Sequence, residues 1–163
     1  MLRGSIAGYR LPEGKIPVLG PNPLFASAQA YRSTNVNNEE RRRLCFAERM
    51  AEDYGGDSYL LPREPSETEI EKLFSAAEKH SALVIGSYNG HLWKEQRELL
   101  GRLNQLKTPV LVVAFGLPYD LQDAPAGIPG LAAWEYSQRS MEAVLAVLKG
   151  EERPTGRIPV SLA

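Results

Sequence analysis

Short apolar runs alternate along this chain with amphipathic stretches of helical length, and that rhythm narrows the fold more than any single residue does. It is the signature of a parallel sheet covered by helices, because strands buried on both faces must be apolar at nearly every position and parallel neighbours need a crossover between them. Five runs read as strands: Ile16-Pro17-Val18-Leu19, Ser58-Tyr59-Leu60-Leu61, Ala82-Leu83-Val84-Ile85, Val110-Leu111-Val112-Val113-Ala114 and Gly130-Leu131-Ala132-Ala133-Trp134. Between them, the stretch from Glu39 to Asp53 places Leu44, Ala47, Met50, Ala51 and Tyr54 on one stripe. The stretch from Ser66 to Lys79 does the same with Ile70, Leu73, Phe74 and Ala77. Ser66, followed three residues later by Glu69, forms a capping box that marks the second helix start. A third helix near Leu92 to Leu106 buries Leu99, Leu100, Leu103 and Leu106. A fourth near Ser140 to Lys149 buries Met141, Val144, Leu145 and Leu148, and Gly150 stops it.

The expected architecture is a single domain, a three-layer α/β/α sandwich of flavodoxin-like type with five mostly parallel strands. Residues 1–15, rich in Gly and Pro, read as a linker or N-terminal extension, and residues 16–163 as the sandwich. Ile158-Pro159-Val160 is expected as a C-terminal edge strand, since Pro159 cannot donate a ladder hydrogen bond at a sheet centre. In such a sheet the functional edge lies at the C-terminal ends of the parallel strands.

Composition removes several function classes. The 163 residues carry 19 basic and 20 acidic side chains, and 43% are hydrophobic. That near balance advertises neither a nucleic-acid nor a membrane partner, and Arg41-Arg42-Arg43, interleaved with Glu39, Glu40 and Glu48, reads as a solvated helix face. The N-terminus lacks an apolar run of signal-peptide length and no segment approaches the roughly twenty apolar residues of a transmembrane helix. With a single cysteine, Cys45, no intrachain disulfide or multi-cysteine metal site can form, which favours a cytoplasmic setting, although a secreted parent stays open. The segment from Gly8 to Gly14-Lys15 has the wrong spacing for a P-loop, and no Gly-x-Gly-x-x-Gly occurs, so no nucleotide cofactor is expected. No histidine or carboxylate spacing suggests a metal.

Any site should therefore draw on the strand-end loops Gly20-Pro21-Asn22-Pro23, Pro62-Arg63-Glu64, the stretch Gly86 to His91, the stretch Phe115 to Asp120, and Glu135-Tyr136-Ser137. Cys45 is expected mid-helix as a small buried hydrophobe, and His80 at a helix end, where the dipole favours an imidazolium. His91, beside Asn89 on the candidate edge, is the better ligand contact. Asp120 is expected to cap the turn after Pro118-Tyr119, with Glu64 and Glu135 solvated. A self-sufficient hydrolase using Asp120, His91 and Ser87 or Ser137 would need triad geometry that spacing alone does not supply.

From Ala82 onward the order of segments resembles the C-terminal domain of glycoside hydrolase family 3, in its β-N-acetylglucosaminidase branch. The resemblance is carried by Val84-Ile85-Gly86-Ser87-Tyr88-Asn89-Gly90-His91, by Lys107-Thr108-Pro109-Val110-Leu111-Val112-Val113, by Pro118-Tyr119-Asp120-Leu121, and by Pro154-Thr155-Gly156-Arg157-Ile158-Pro159-Val160 after a helix ending in Gly. It implies an accessory domain that packs on a separate catalytic (β/α)8 barrel in cis or in trans. That barrel supplies the aspartate nucleophile and, in this branch, a histidine acid/base in a motif that Lys79-His80-Ser81-Ala82 does not match. No residue of this chain is expected to be catalytic. Tyr88, Asn89, His91, Tyr119 and Asp120 are the expected rim of a pocket for an N-acetylglucosamine-containing glycan. A sandwich apart from its barrel is also expected to expose an apolar patch through which it could self-associate. The competing reading is a free-standing flavodoxin-like module that binds a small molecule or a protein.

Overall fold

The computed structural model describes residues 7–9, 19–28 and 44–159. Its strands are β1 (Ala7–Tyr9), β2 (Leu24–Ala28), β3 (Asp57–Leu61), β4 (Leu83–Tyr88), β5 (Val110–Phe115) and β6 (Gly130–Ala132), in the sheet order β1-β6-β5-β4-β2-β3. β2 to β6 are mutually parallel, and β1 joins β6 antiparallel, with Ala7 opposite Ala132 and Tyr9 opposite Gly130. The parallel part has the flavodoxin-like order, with the chain reversing its direction of travel across the sheet between β2 and β4. Helices α1 (Phe46–Tyr54), α2 (Glu67–Ala77), α3 (Lys94–Gly101), the single turn α4 (Asp120–Asp123) and α5 (Gln138–Leu148) cover it.

The two faces hold separate cores because alternate strand residues point to opposite sides. On one face Leu24, Ala26, Leu83, Ile85, Val110 and Val112 meet Ile70 and Leu73 of α2 and Leu99 and Leu100 of α3. On the other, Phe25, Val84, Leu111, Val113 and Phe115 meet Phe46 and Met50 of α1 and Met141 and Val144 of α5. Phe46 contacts Phe25 and Phe115 edge-on, with centroids 6.5 and 5.2 Å away. Its ring lies close enough to β4 that a Cβ at Gly86 would come 2.4 Å from Cδ1, so Gly86 lets α1 approach the sheet.

The structure moves some expected boundaries. Leu19 lies outside any strand, with Ile16-Pro17-Val18 outside the described residues, and the first parallel strand is Leu24–Ala28 instead. Consequently Gly20-Pro21-Asn22-Pro23 precedes a strand and sits at the opposite end of the sheet from the candidate edge. There the Leu19 carbonyl accepts the Ser81 hydroxyl, and the Asn22 carbonyl accepts the Ser81 N–H at 3.0 Å. The sixth strand comes from Ala7–Tyr9, within the stretch read as a linker; Ile158 and Pro159 are not in a strand, and Val160 lies outside the described residues. Ile158 packs on the core without extending the sheet. β4 continues through Gly86-Ser87-Tyr88, and β5 reaches Phe115. The expected third helix is α3 followed by a 3₁₀ turn at Leu103–Gln105, and α5 starts earlier than expected, capped by Ser137, whose hydroxyl accepts the Ser140 N–H at 3.3 Å. Arg41-Arg42-Arg43 falls outside the described residues.

The capping box is present as expected. The Ser66 hydroxyl accepts the Glu69 N–H at 3.4 Å, and the Glu69 carboxylate accepts the Ser66 N–H at 2.7 Å. These bonds to Ser66 hold the Glu69 carboxyl below its ordinary range.

Candidate functional site

Because β4 and β5 are adjacent and in register from Leu83 opposite Val110 to Tyr88 opposite Phe115, the loops that follow them emerge side by side. Four of the five expected rim residues are thereby brought into two linked contacts. Gly90–Leu92 forms a 3₁₀ turn after Asn89, which adopts a left-handed backbone conformation with φ 50°. Asn89 Oδ1 accepts the Leu117 N–H at 3.0 Å and packs on Gly116, tying one loop to the other.

The second contact centres on Asp120. Its side chain is fully buried, and its two oxygens accept the Gly90 N–H at 2.8 Å, the His91 N–H at 2.8 Å and His91 Nδ1 at 2.6 Å. Asp120 thus caps the neighbouring loop rather than its own turn. A carboxylate only accepts, so the imidazole carries a proton on Nδ1, directed at Asp120. The Tyr119 ring stands edge-on to His91 with centroids 5.6 Å apart.

Tyr88 belongs to a neighbouring aromatic group. It is 39% exposed and meets Tyr136 at 5.5 Å, and Tyr136 in turn packs on Phe115 at 5.1 Å. The Tyr136 hydroxyl accepts the Phe46 N–H at 3.0 Å, and burial pushes its phenol well above the usual range. Sequence reasoning placed Tyr136 on the edge without singling it out. It also passed over Trp93, over whose ring Arg63 lies at 4.9 Å, and Gln96, whose amide donates to the Arg63 carbonyl at 2.8 Å. Gln96 left one signal: an amide on the stripe otherwise formed by Leu99, Leu100 and Leu103. Leu92 and Leu117, 69% and 48% exposed, complete an edge that presents large apolar side chains to solvent.

The remaining candidates are separate from this edge pair. Cys45 is the N-cap of α1, not a mid-helix residue, and burial pushes its thiol up, the opposite of what a reactive thiolate needs. His80 follows α2, with Nδ1 2.7 Å from the Ala76 carbonyl and Nε2 2.9 Å from Asp57, a structural bridge between helix end and strand start. Ser87 lies on β4 facing the α3 side, and Ser137 is occupied as a helix cap with Glu135 as partner, so neither completes a triad with His91 and Asp120. Glu64 and Glu135 are exposed. No metal-sized cluster of histidine, cysteine and carboxylates exists among the described residues, and none of their helices is long and apolar enough to cross a membrane.

Chemically the described edge is equipped for binding contacts. Retaining glycoside hydrolysis needs two carboxyl or equivalent groups about 5 Å apart across the scissile bond. Asp120, the carboxylate between the two central loops, is buried and already holds three donors, while the other strand-end carboxylates, Glu64 and Glu135, are exposed. The edge offers an oriented imidazole, tyrosine rings and an apolar surface.

No protein-family model and no curated protein matches the sequence. Solved structures do match in fold. A glycoside hydrolase family 3 β-N-acetylglucosaminidase from Paenibacillus sp. str. FPU-7 aligns with 98% of this chain at a TM-score of 0.74 and 21% identity, and the match covers 31% of that enzyme. A fungal multi-domain family 3 β-N-acetylglucosaminidase aligns with 96% at a TM-score of 0.70 and 19% identity, over 17% of its length. A β-D-glucoside glucohydrolase from Trichoderma reesei aligns with 99% at a TM-score of 0.61 and 14% identity, over 29% of its length. At these identities the likeness is one of fold. The chain corresponds to less than a third of each of these larger proteins.

Proposed function

We propose that this chain is the accessory α/β sandwich of a family 3 β-N-acetylglucosaminidase, packing on a separate catalytic (β/α)8 barrel and inactive alone. The observation that carries this reading is the alignment of nearly the whole chain with a minor part of much longer glycosidases. The edge chemistry supports it, since the imidazole, tyrosines and exposed Leu92 and Leu117 suit contact with a sugar or a covering domain better than bond cleavage. In this reading Tyr88, Asn89, His91, Tyr119 and Asp120 form the rim that the sandwich lends to a pocket for an N-acetylglucosamine-containing glycan. His91 and Tyr119 touch sugar, while Asn89 and Asp120 hold the two loops in place. A cytoplasmic setting belongs to the same reading and rests on cysteine usage alone.

The test is hydrolysis of a chromogenic β-N-acetylglucosaminide by the chain alone, by the barrel encoded nearest to it in the genome, and by the two mixed. The expected result is silence from the chain and a gain in the barrel's activity on mixing. Activity from the chain alone would overturn the proposal. A barrel indifferent to mixing would also count against it and favour a free-standing binding module.

A further inference from the structure

The pairing of β2 with β4 ends at Ser27 opposite Gly86, while β2 continues along β3 to Ala28 opposite Leu61. The two strands part at the topological switch point of the sheet, where doubly wound folds open a crevice. Ser87, the next residue of β4, lies at that point on the same face as Leu83 and Ile85. It is 5% exposed, and its buried hydroxyl has no hydrogen-bond partner among the described residues. Buried hydroxyls in native proteins are nearly always paired, to protein or to water, because an unpaired one forfeits its hydration without return.

A cavity opens beside it, walled by Ala28, Leu61, Ser87, Gln96, Leu99 and Leu100 among others, with room for the centre of a water-sized sphere over about 10 Å³. That is enough for one water molecule and for little else. Its other polar side chain is Gln96, also 5% exposed, whose amide nitrogen donates to the Arg63 carbonyl at 2.8 Å and whose Oε1 lies beside Gly90. An apolar cavity of this size would stay dry; one with a buried hydroxyl and a carboxamide on its wall offers a water the partners it needs.

We infer that a single internal water occupies this cavity, accepting the Ser87 hydroxyl proton and donating to Gln96 Oε1. It joins β4 to α3 just before the Tyr88 to His91 loop, so the loop's base is held by a bridge from strand to helix. The inference is independent of the glycosidase reading.

Crystal structures of the whole chain at about 1.5 Å, wild type and Ser87→Ala, provide the test. The expected result is one spherical peak about 2.7–3.0 Å from Ser87 Oγ, lost in Ser87→Ala while the surrounding side chains stay in place. No peak in the wild type, a peak unchanged in Ser87→Ala, density elongated beyond a single water, or a Ser87 hydroxyl donating to a protein carbonyl would each overturn it. In solution, the Ser87 amide should show a cross-relaxation peak to long-lived water in the wild type; its absence would also refute the bridge.

Discussion

Replacing Asp120 with alanine removes the one acceptor that three donors share. A hydrogen bond to a charged group contributes about 1.5–3 kcal/mol, and a buried donor left unpaired costs about 1–3 kcal/mol. The Gly90 N–H is buried and has no other partner to turn to, whereas both His91 donors belong to a residue whose side chain is 19% exposed and can re-pair in part with water. Weighting the buried contact fully and the other two at about half puts Asp120→Ala at about 4 kcal/mol. His91→Ala leaves both backbone bonds to Asp120 intact and should cost about 1–2 kcal/mol. In urea unfolding followed by circular dichroism, with a slope of about 2 kcal/mol/M, the midpoint should fall by about 2 M for Asp120→Ala and by less than 1 M for His91→Ala. Equal losses would show that the imidazole, not the backbone, is the contact that matters. A drop below about 0.3 M for Asp120→Ala would refute the claim that this carboxylate organises the loop.

Gly86→Ala drives a methyl into the buried Phe46 ring and should cost about 2–3 kcal/mol, roughly 5–10 °C in melting temperature for a chain of this size; a change below about 1 °C would mean that α1 can shift away freely. The Glu69 carboxyl, held below its ordinary value of 4.5 by its bonds to Ser66, contributes stability that is full above that value and is lost as pH falls through the lower folded one. Wild type should therefore lose stability faster than Glu69→Gln on acidification below about pH 4.5, and matching slopes would contradict the box's electrostatic role. Burial of Cys45 predicts that its thiol reacts with a disulfide reagent more slowly in the native chain than in urea, and equal rates would show an accessible thiol.

The strands legible in the sequence were those whose burial on both faces forces uninterrupted apolar residues, Leu83 to Ile85 and Val110 to Val113. β2 was hidden for a physical reason. Its Leu-Phe-Ala-Ser-Ala run is weakly apolar: Ala26 is small on the face toward α2 and α3, Ser27 is polar where it accepts the Ala47 N–H of α1 at 3.4 Å, and prolines at 21 and 23 read as loop punctuation. The more apolar Ile16 to Leu19 drew the assignment instead, and that slip carried Gly20 to Pro23 to the wrong end of the sheet. At the candidate site, adjacency of β4 and β5 made His91 and Asp120 neighbours on paper. The direction of the cap was not legible, because an aspartate after Pro-Tyr can serve its own turn as readily as a loop 30 residues upstream. Tyr136 and Trp93 left no pattern at all, since their roles arise from ring contacts between distant segments.

β1 pairs Ala7 with Ala132, so the chain through β6 must be laid down before this strand has anything to pair with. Three residue pairs closing so long a loop give it little to hold on with, which makes it the last piece of the sheet to settle and the first to let go. When it lifts, β6 is left with a bare rail of backbone donors and acceptors. Another copy's Ala7–Tyr9 could lie down on that rail in the same antiparallel sense, giving the chain a route to strand exchange at high concentration that needs no change in the rest of the sandwich.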